Sequence, residues 1–301
     1  MRYAQLRAFH YVAISGGFSK AAEALNLTQP GVSDQVRKLE DAYDVTLFRR
    51  QGRVTRLTEL GHKLLQSTGR MFEAEAEALE ILSETRALRS GHLNLMSDSA
   101  GHILPILGRF QERYPQITLT LKSGNSPMIV DALFSFQADI GILADLPDDK
   151  SLYVQRLRSD PVIAFVAQDH PLAARTEVSL RELAAWPLIL REPQSKTRKL
   201  YMDAAEQAGL EPHIAIEAEG REAVREIVAT GVGYGVVSLP ELGPDPRLKA
   251  LSIADTDITM EQSMVCPAPR IRRRLVRAFF DVAEEAMKAD GMKDTGVIGK
   301  L

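Results

Sequence analysis

Leu6, Phe9, Val12 and Ala13 recur at helical spacing and stop at Ser15-Gly16-Gly17, the pattern of an amphipathic helix followed by a helix terminator. Phe18-Ser19 opens a second helix, with Ala21, Ala22 and Leu25 on one face and a break at Asn26-Leu27. Thr28 then stands as an N-cap, and Pro30 falls in the first turn of a third helix, where a missing N–H costs nothing. Val32, Val36 and Leu39 form the inner face of that helix, and Gln29, Ser33 and Arg37 lie one turn apart on the outer face. Two short helices, a tight turn and a third helix with a polar outer face predict a helix-turn-helix. The stretch FRRQGRVTRLT (48–58) reads as a β-hairpin wing around Gly52.

From Leu57 to about Arg89 there is no Pro and only two Gly, and two seven-residue stripes run along the segment: Leu57, Leu64, Met71 and Leu65, Phe72, Leu79. A helix of ~30 residues spans roughly 45 Å. That is too long for so small a head to bury, so the stripes call for a partner, most simply a second copy of the same helix. After Ser90-Gly91 the period changes. Leu93–Met96, Ile117–Leu121 and Ile140–Leu143 read as strands separated by helical patterns, a βαβαβ run. A second set starts near Pro161: strands at Val162–Val166, Leu188–Leu190, Ile214–Ile216 and Val236-Val237, with helices near 179–185, 197–208 and 221–230. The expected class is α/β with an all-helical N-terminal part. Gly231-Val232-Gly233-Tyr234-Gly235 follows a helix and precedes a strand, the reverse of a phosphate-binding turn, and reads as a helix stop with close packing.

Charge sharpens this picture. The 301 residues carry a net charge of −3. Residues 1–60 hold nine Lys/Arg against six Asp/Glu, a net of +3, which leaves −6 for the rest. A basic head on an acidic body points to an acidic polymer as the partner of the head. Cys266 is the single cysteine, within an apolar run, so no disulfide framework or cysteine-based metal cluster is expected. The six histidines lack metal-ligand spacing and read as surface or capping groups. No signal peptide and no apolar run of ~18 residues is evident, which points to a cytoplasmic chain that does not enter a membrane.

The segments FSKAAEALNLTQPGVSDQVRKLE (18–40) and LFRRQGRVTRLTELG (47–61) resemble the LysR-type transcriptional regulators, and the likeness runs over nearly the whole chain. The resemblance implies a winged helix-turn-helix (1–60), a linker and dimerisation helix (61–90) and a two-lobed, periplasmic-binding-protein-like effector domain (91–301). Lobe I would comprise about 91–160 and 268–301, and lobe II about 161–267, with crossings near Asp160 and Pro267 and a final helix at about 270–289. Carried over by position, Gln29, Pro30, Ser33 and Arg37 become the surface that reads double-stranded DNA, and Arg50, Arg53 and Thr58 become phosphate contacts. Asp34 stands where many members have a basic or polar residue. It either accepts from a cytosine amino group or faces solvent.

Ligands of open α/β sheets sit beyond the carboxyl ends of the strands. Ser97-Asp98-Ser99, Asn125-Ser126 and Ser195-Lys196-Thr197-Arg198 are three such ends, each preceding a helix. Each alone is an ordinary N-cap, but together they match the effector pocket of the family. Lys196 with Arg198 would favour an anionic ligand unless Lys196 points outward. The head is most similar to regulators associated with 2-aminoethylphosphonate catabolism, which suggests an aminophosphonate effector. No cofactor, metal or catalytic residue is expected. The family resemblance further implies a homodimer or homotetramer. The competing readings are a solute-binding protein or an enzyme on the same two-lobed scaffold; the DNA-binding head disfavours the first, and the second lacks a recognisable nucleophile or cofactor loop.

Overall fold

The computed structural model describes residues 3–51, 54–82, 91–99, 101–289 and 297–298. The head packs α1 (Tyr3–Ser15), α2 (Phe18–Leu25) and α3 (Gln29–Tyr43) around Leu6, Phe9, Val12, Ala21, Val32, Val36 and Leu39. Gly16 at φ +71° and Asn26 at φ +53° make the two chain reversals. Thr28 caps α3, its hydroxyl accepting from the Gly31 N–H at 3.3 Å. An added Cβ at residue 31 would lie 3.1 Å from that hydroxyl, so Gly31 makes room for the cap. The wing is the antiparallel pair β1 (Phe48–Gln51) and β2 (Val54–Leu57). The Glu40 carboxylate accepts from the Leu47 and Phe48 N–H groups at 2.6 and 3.2 Å and ties the wing to the end of α3.

α4 runs from Glu59 to Leu82; the expected continuation over 83–90 lies outside the described residues. Its stripes are covered differently from expectation. Leu65 is buried in the head core, and Leu57, Leu64 and Met71 pack against that core. Phe72 meets Tyr3 and His10 with ring centroids 5.7 and 4.8 Å away. α1 and the head core therefore cover part of these stripes, and Leu64, Met71 and Phe72 stay half-exposed. The Leu79 side chain lies outside the described residues.

The body begins with β3 (Gly91–Ser97), α5 (Leu104–Arg113), β4 (Ile117–Ser123), α6 (Ser126–Phe134) and β5 (Ile140–Leu143), with β3 parallel to both β4 and β5. β6 (Leu152–Ala167) is one continuous strand that serves both lobes, and its first half was not expected from the sequence. In lobe II, β7 (Glu177–Val178), α7 (Leu180–Leu183), β8 (Leu188–Arg191), α8 (Lys196–Gln207), β9 (Ile214–Ala218), α9 (Arg221–Val228), β10 (Tyr234–Ser238), α10 (Leu239–Leu242) and β11 (Leu248–Ile253) follow. β12 (Thr259–Pro267) returns antiparallel to β6 and from Ser263 onward also pairs with β5. The return crossing thus lies at Thr259–Gln262, with a register shift after Gln262, rather than near Pro267. α11 (Arg274–Ala289) packs on lobe I, where Phe279 meets Phe110 at 5.0 Å between ring centroids. β13 (Val297–Ile298) pairs with β6. Gly231 stops α9 at φ +84°, and a Cβ on Gly233 would overlap the Pro187 carbonyl, so this glycine run is a turn and a close packing contact.

Candidate nucleic-acid interface and ligand cleft

The outer face of α3 carries Gln29, Pro30 and Arg37 exposed to solvent, with Ser33 and Asp34 half-buried between them. Asp34 forms ion pairs with Arg37 at 3.1 Å and Lys38 at 2.7 Å, and the bonds to Lys38 and Arg37 hold its carboxyl below the usual range. It orients two cations of its own helix. On the wing, the Arg50 side chain and all of Arg53 lie outside the described residues. Arg49 and Arg56, which sequence reasoning passed over, are cross-strand partners and both exposed. Like charges directly opposite are destabilising, so this pair suits a polyanion. Only the hairpin register brings them together, which is why spacing alone did not reveal them.

Thr58 sits elsewhere than expected. It is buried, its hydroxyl donates to the Thr46 carbonyl at 2.8 Å, and it accepts from the Gly61 N–H at 3.0 Å. The side chain caps α4 and is not presented to a phosphate.

The second candidate site is a cleft of about 410 Å³ between the lobes. Asp98, Asn125, Ser126, Ser195, Lys196 and Thr197 line it, all at carboxyl ends of strands or starts of helices. Asn125 and Ser195 are N-caps of α6 and α8, accepting from Met128 N–H at 3.1 Å and Arg198 N–H at 3.4 Å. Lys196 reaches across the cleft to Asp145 at 2.6 Å. Asp98 accepts from Ala144 N–H at 2.7 Å and Gln262 Nε2 at 3.3 Å. Burial, reinforced by the nearby Glu241 charge, pushes its carboxyl up to about 6.

Three expected pocket residues do not reach the cleft. The Ser97 hydroxyl donates to the Ser99 carbonyl at 2.6 Å and accepts from its N–H at 3.1 Å, a local turn. Ser99 is buried behind the wall. Arg198 turns away to the Arg191 carbonyl at 2.7 Å and Glu217 at 2.5 Å. Arg221 takes the place intended for Arg198. It lines the cleft and contacts Glu241 at 2.9 Å and the Asp98 carbonyl at 3.3 Å. Glu241 is buried, yet bonds to His102 and the Arg221 charge outweigh burial and hold its carboxyl below the usual range. His102, at 3.2 Å from Glu241, is thus an inter-lobe core group and not a surface one. His10 is likewise buried. The lining includes the carboxylates Asp98, Glu192, Glu219, Glu222 and Glu241 beside the cations Arg191, Lys196 and Arg221, so the cleft offers both signs of charge.

Burial pushes the Cys266 thiol up to about 12, which keeps it unreactive. Among the described residues no group of three His, Cys, Asp or Glu could hold a metal, and no helix is long and apolar enough to cross a membrane.

Comparison with known proteins places the head and the two-lobed body in one family. Residues 3–62 match the bacterial regulatory helix-turn-helix protein, lysR family, and residues 86–288 match the LysR substrate binding domain. The chain is 30% identical over 255 residues to the HTH-type transcriptional activator CmpR of Synechocystis sp., covering 84% of each. It is 28% identical to the HTH-type transcriptional regulator CysL of Bacillus subtilis, covering 84% of this chain and 86% of CysL. Among solved structures, a full-length OxyR variant from Pseudomonas aeruginosa superposes with a TM-score of 0.81 at 21% identity, covering 94% and 95% of the two chains. Full-length CbnR complexed with its target DNA gives 0.63 at 20%, covering 95% and 100%. The motifs of the head, the two-lobed body and these matches lead to one conclusion: the chain belongs to the LysR family of transcriptional regulators.

Proposed function

We propose that this regulator binds promoter DNA through residues 1–60, pairs through the linker region 61–90, and senses a small zwitterionic metabolite in the cleft of residues 91–301. The carrying observation is the exposed face of Gln29, Pro30 and Arg37 on a capped, slim helix end, in a head whose wing also exposes the Arg49–Arg56 pair. Gln29, Ser33 and Arg37 would read base edges in the major groove, and Arg49, Arg56, Arg50 and Arg53 would anchor phosphates. Asp34 would steer Arg37. The likeness to CbnR, solved with its target DNA, supports this docking. Oligomers with two heads would read two half-sites related by the symmetry of the dimer.

In the cleft, an anionic ligand group would meet Arg221, Lys196 and the Asn125- and Ser195-capped helix starts, and an ammonium would meet Asp98, Glu192 or Glu219. An aminophosphonate such as 2-aminoethylphosphonate has this charge pair. Binding raises stability by mass action. Titrating 2-aminoethylphosphonate into the full chain should raise Tm, and Arg221→Gln should abolish the shift. A Tm unmoved by aminophosphonates but raised by an uncharged or aromatic compound would overturn the zwitterion reading. Selection of duplexes from a random library tests the DNA reading: enrichment of a shared sequence is expected, and none would sink it.

A further inference from the structure

Two residues stand where their type is out of place, and they touch. Gly69 lies in the interior of α4, where glycine weakens a helix. Phe136 follows the C-cap of α6 at φ +61°, the left-handed position that glycine ordinarily takes and a bulky residue avoids. A Cβ at residue 69 would overlap the Phe136 ring. The missing side chain of one is the socket for the other. Phe136 belongs to lobe I by sequence, yet it packs with the core of the head and lies 5.7 Å from the His10 ring on α1. Arg270, from the segment before α11, stacks over the same ring at 4.4 Å, donates to the Ala138 carbonyl at 2.8 Å and forms a partly buried ion pair with Glu73 on α4. Burial holds His10 neutral, its pKa pushed down to about 4, and Thr68 hydrogen-bonds it at 3.1 Å.

The other end of α6 lies at the cleft. Asn125, Ser126 and Met128 line the cleft, and the nine-residue helix joins them to Phe136 over roughly 13 Å. A short helix packed along its length moves as a body, because its core is close-packed. We propose that α6 is a strut carrying cleft occupancy to the DNA-binding head of the same chain, with Phe136 as its foot in the Gly69 socket and the Arg270–Glu73 pair as its clamp. The proposal rests on the regulator reading and names how that regulator is coupled.

A double-mutant cycle on the full-length chain tests it, with an in-vitro-selected duplex as the DNA probe. Met128→Trp fills the cleft from the exposed first turn of α6, and Phe136→Gly removes the foot while accepting the positive φ. Met128→Trp should change DNA affinity at least fivefold in the wild-type background and less than twofold beside Phe136→Gly. Gly69→Ala, which strengthens α4 while closing the socket, should uncouple the sites in the same way. Hydrogen exchange of amides 66–73, measured without DNA, should respond to Met128→Trp only when the foot is present. Equal effects of Met128→Trp in both backgrounds, or none in either, would overturn the strut. Failure to select any duplex would instead remove the DNA reading, and the exchange measurement would still decide the strut.

Discussion

Thr58 and Asp98 show how one side chain's surroundings set its task. Thr58 looks like a phosphate contact by position, but its hydroxyl joins Thr46 to Gly61. Thr58→Ala should therefore cost about 1 kcal/mol of stability, as loss of a cap does, while leaving the salt dependence of DNA binding unchanged. Urea unfolding and a salt titration check the two halves. Asp98 is raised to about 6 in the fold, chiefly by burial, above its ordinary 3.8. Between about pH 4 and 6 the native state holds a proton that the unfolded chain has lost. Stability contributed by this residue thus falls as pH rises through that window, by up to about 3 kcal/mol. Comparing urea midpoints of the wild type and Asp98→Asn from pH 4 to 7 should show the difference opening toward pH 7 in favour of the variant. A constant difference would refute the assignment.

At the scale of elements, the hairpin and the long helix carry the argument. Arg56→Ala should lower DNA affinity for every sequence alike and flatten the log–log salt slope by about one unit, since Arg56 stands beside Arg49 on an exposed face of the wing. If only the preferred sequence weakened, Arg56 would be a base contact. α4 was legible as a long amphipathic helix, but its stripes did not say what covers them. Leu65 is buried in the head core of its own chain. Leu65→Ala should therefore cost about 2–5 kcal/mol, and the loss should not depend on protein concentration. A concentration-dependent loss would restore the inter-chain reading of that stripe.

For the whole molecule, two lobes share β6 and β12, so the cleft at their junction is lined by residues from seven separate stretches of chain. Two heads are needed to read two half-sites, and sedimentation velocity at micromolar concentration should show no dominant monomer. A wild-type monomer that binds a half-site with full affinity would contradict this assembly.

The sequence by itself determined the helices of the head, most of the strand–helix alternation of the body and the family. Period, caps and turn residues act within a few positions, so LNLTQPGVSDQVRKLE carries its own helix start, inner face and outer face. The alternation of strand and helix, the basic head and the cleft-forming ends after β3, β4 and β8 were visible for the same reason. What the sequence could not fix was which distant side chains meet. Arg221 rather than Arg198 lines the cleft because Arg198, at the start of α8, turns toward Glu217. Arg49 meets Arg56 only through the hairpin register, and Phe136 finds Gly69 across 67 positions of chain. Such pairings depend on packing between elements, where a glycine's missing side chain has meaning only once its neighbour is in place.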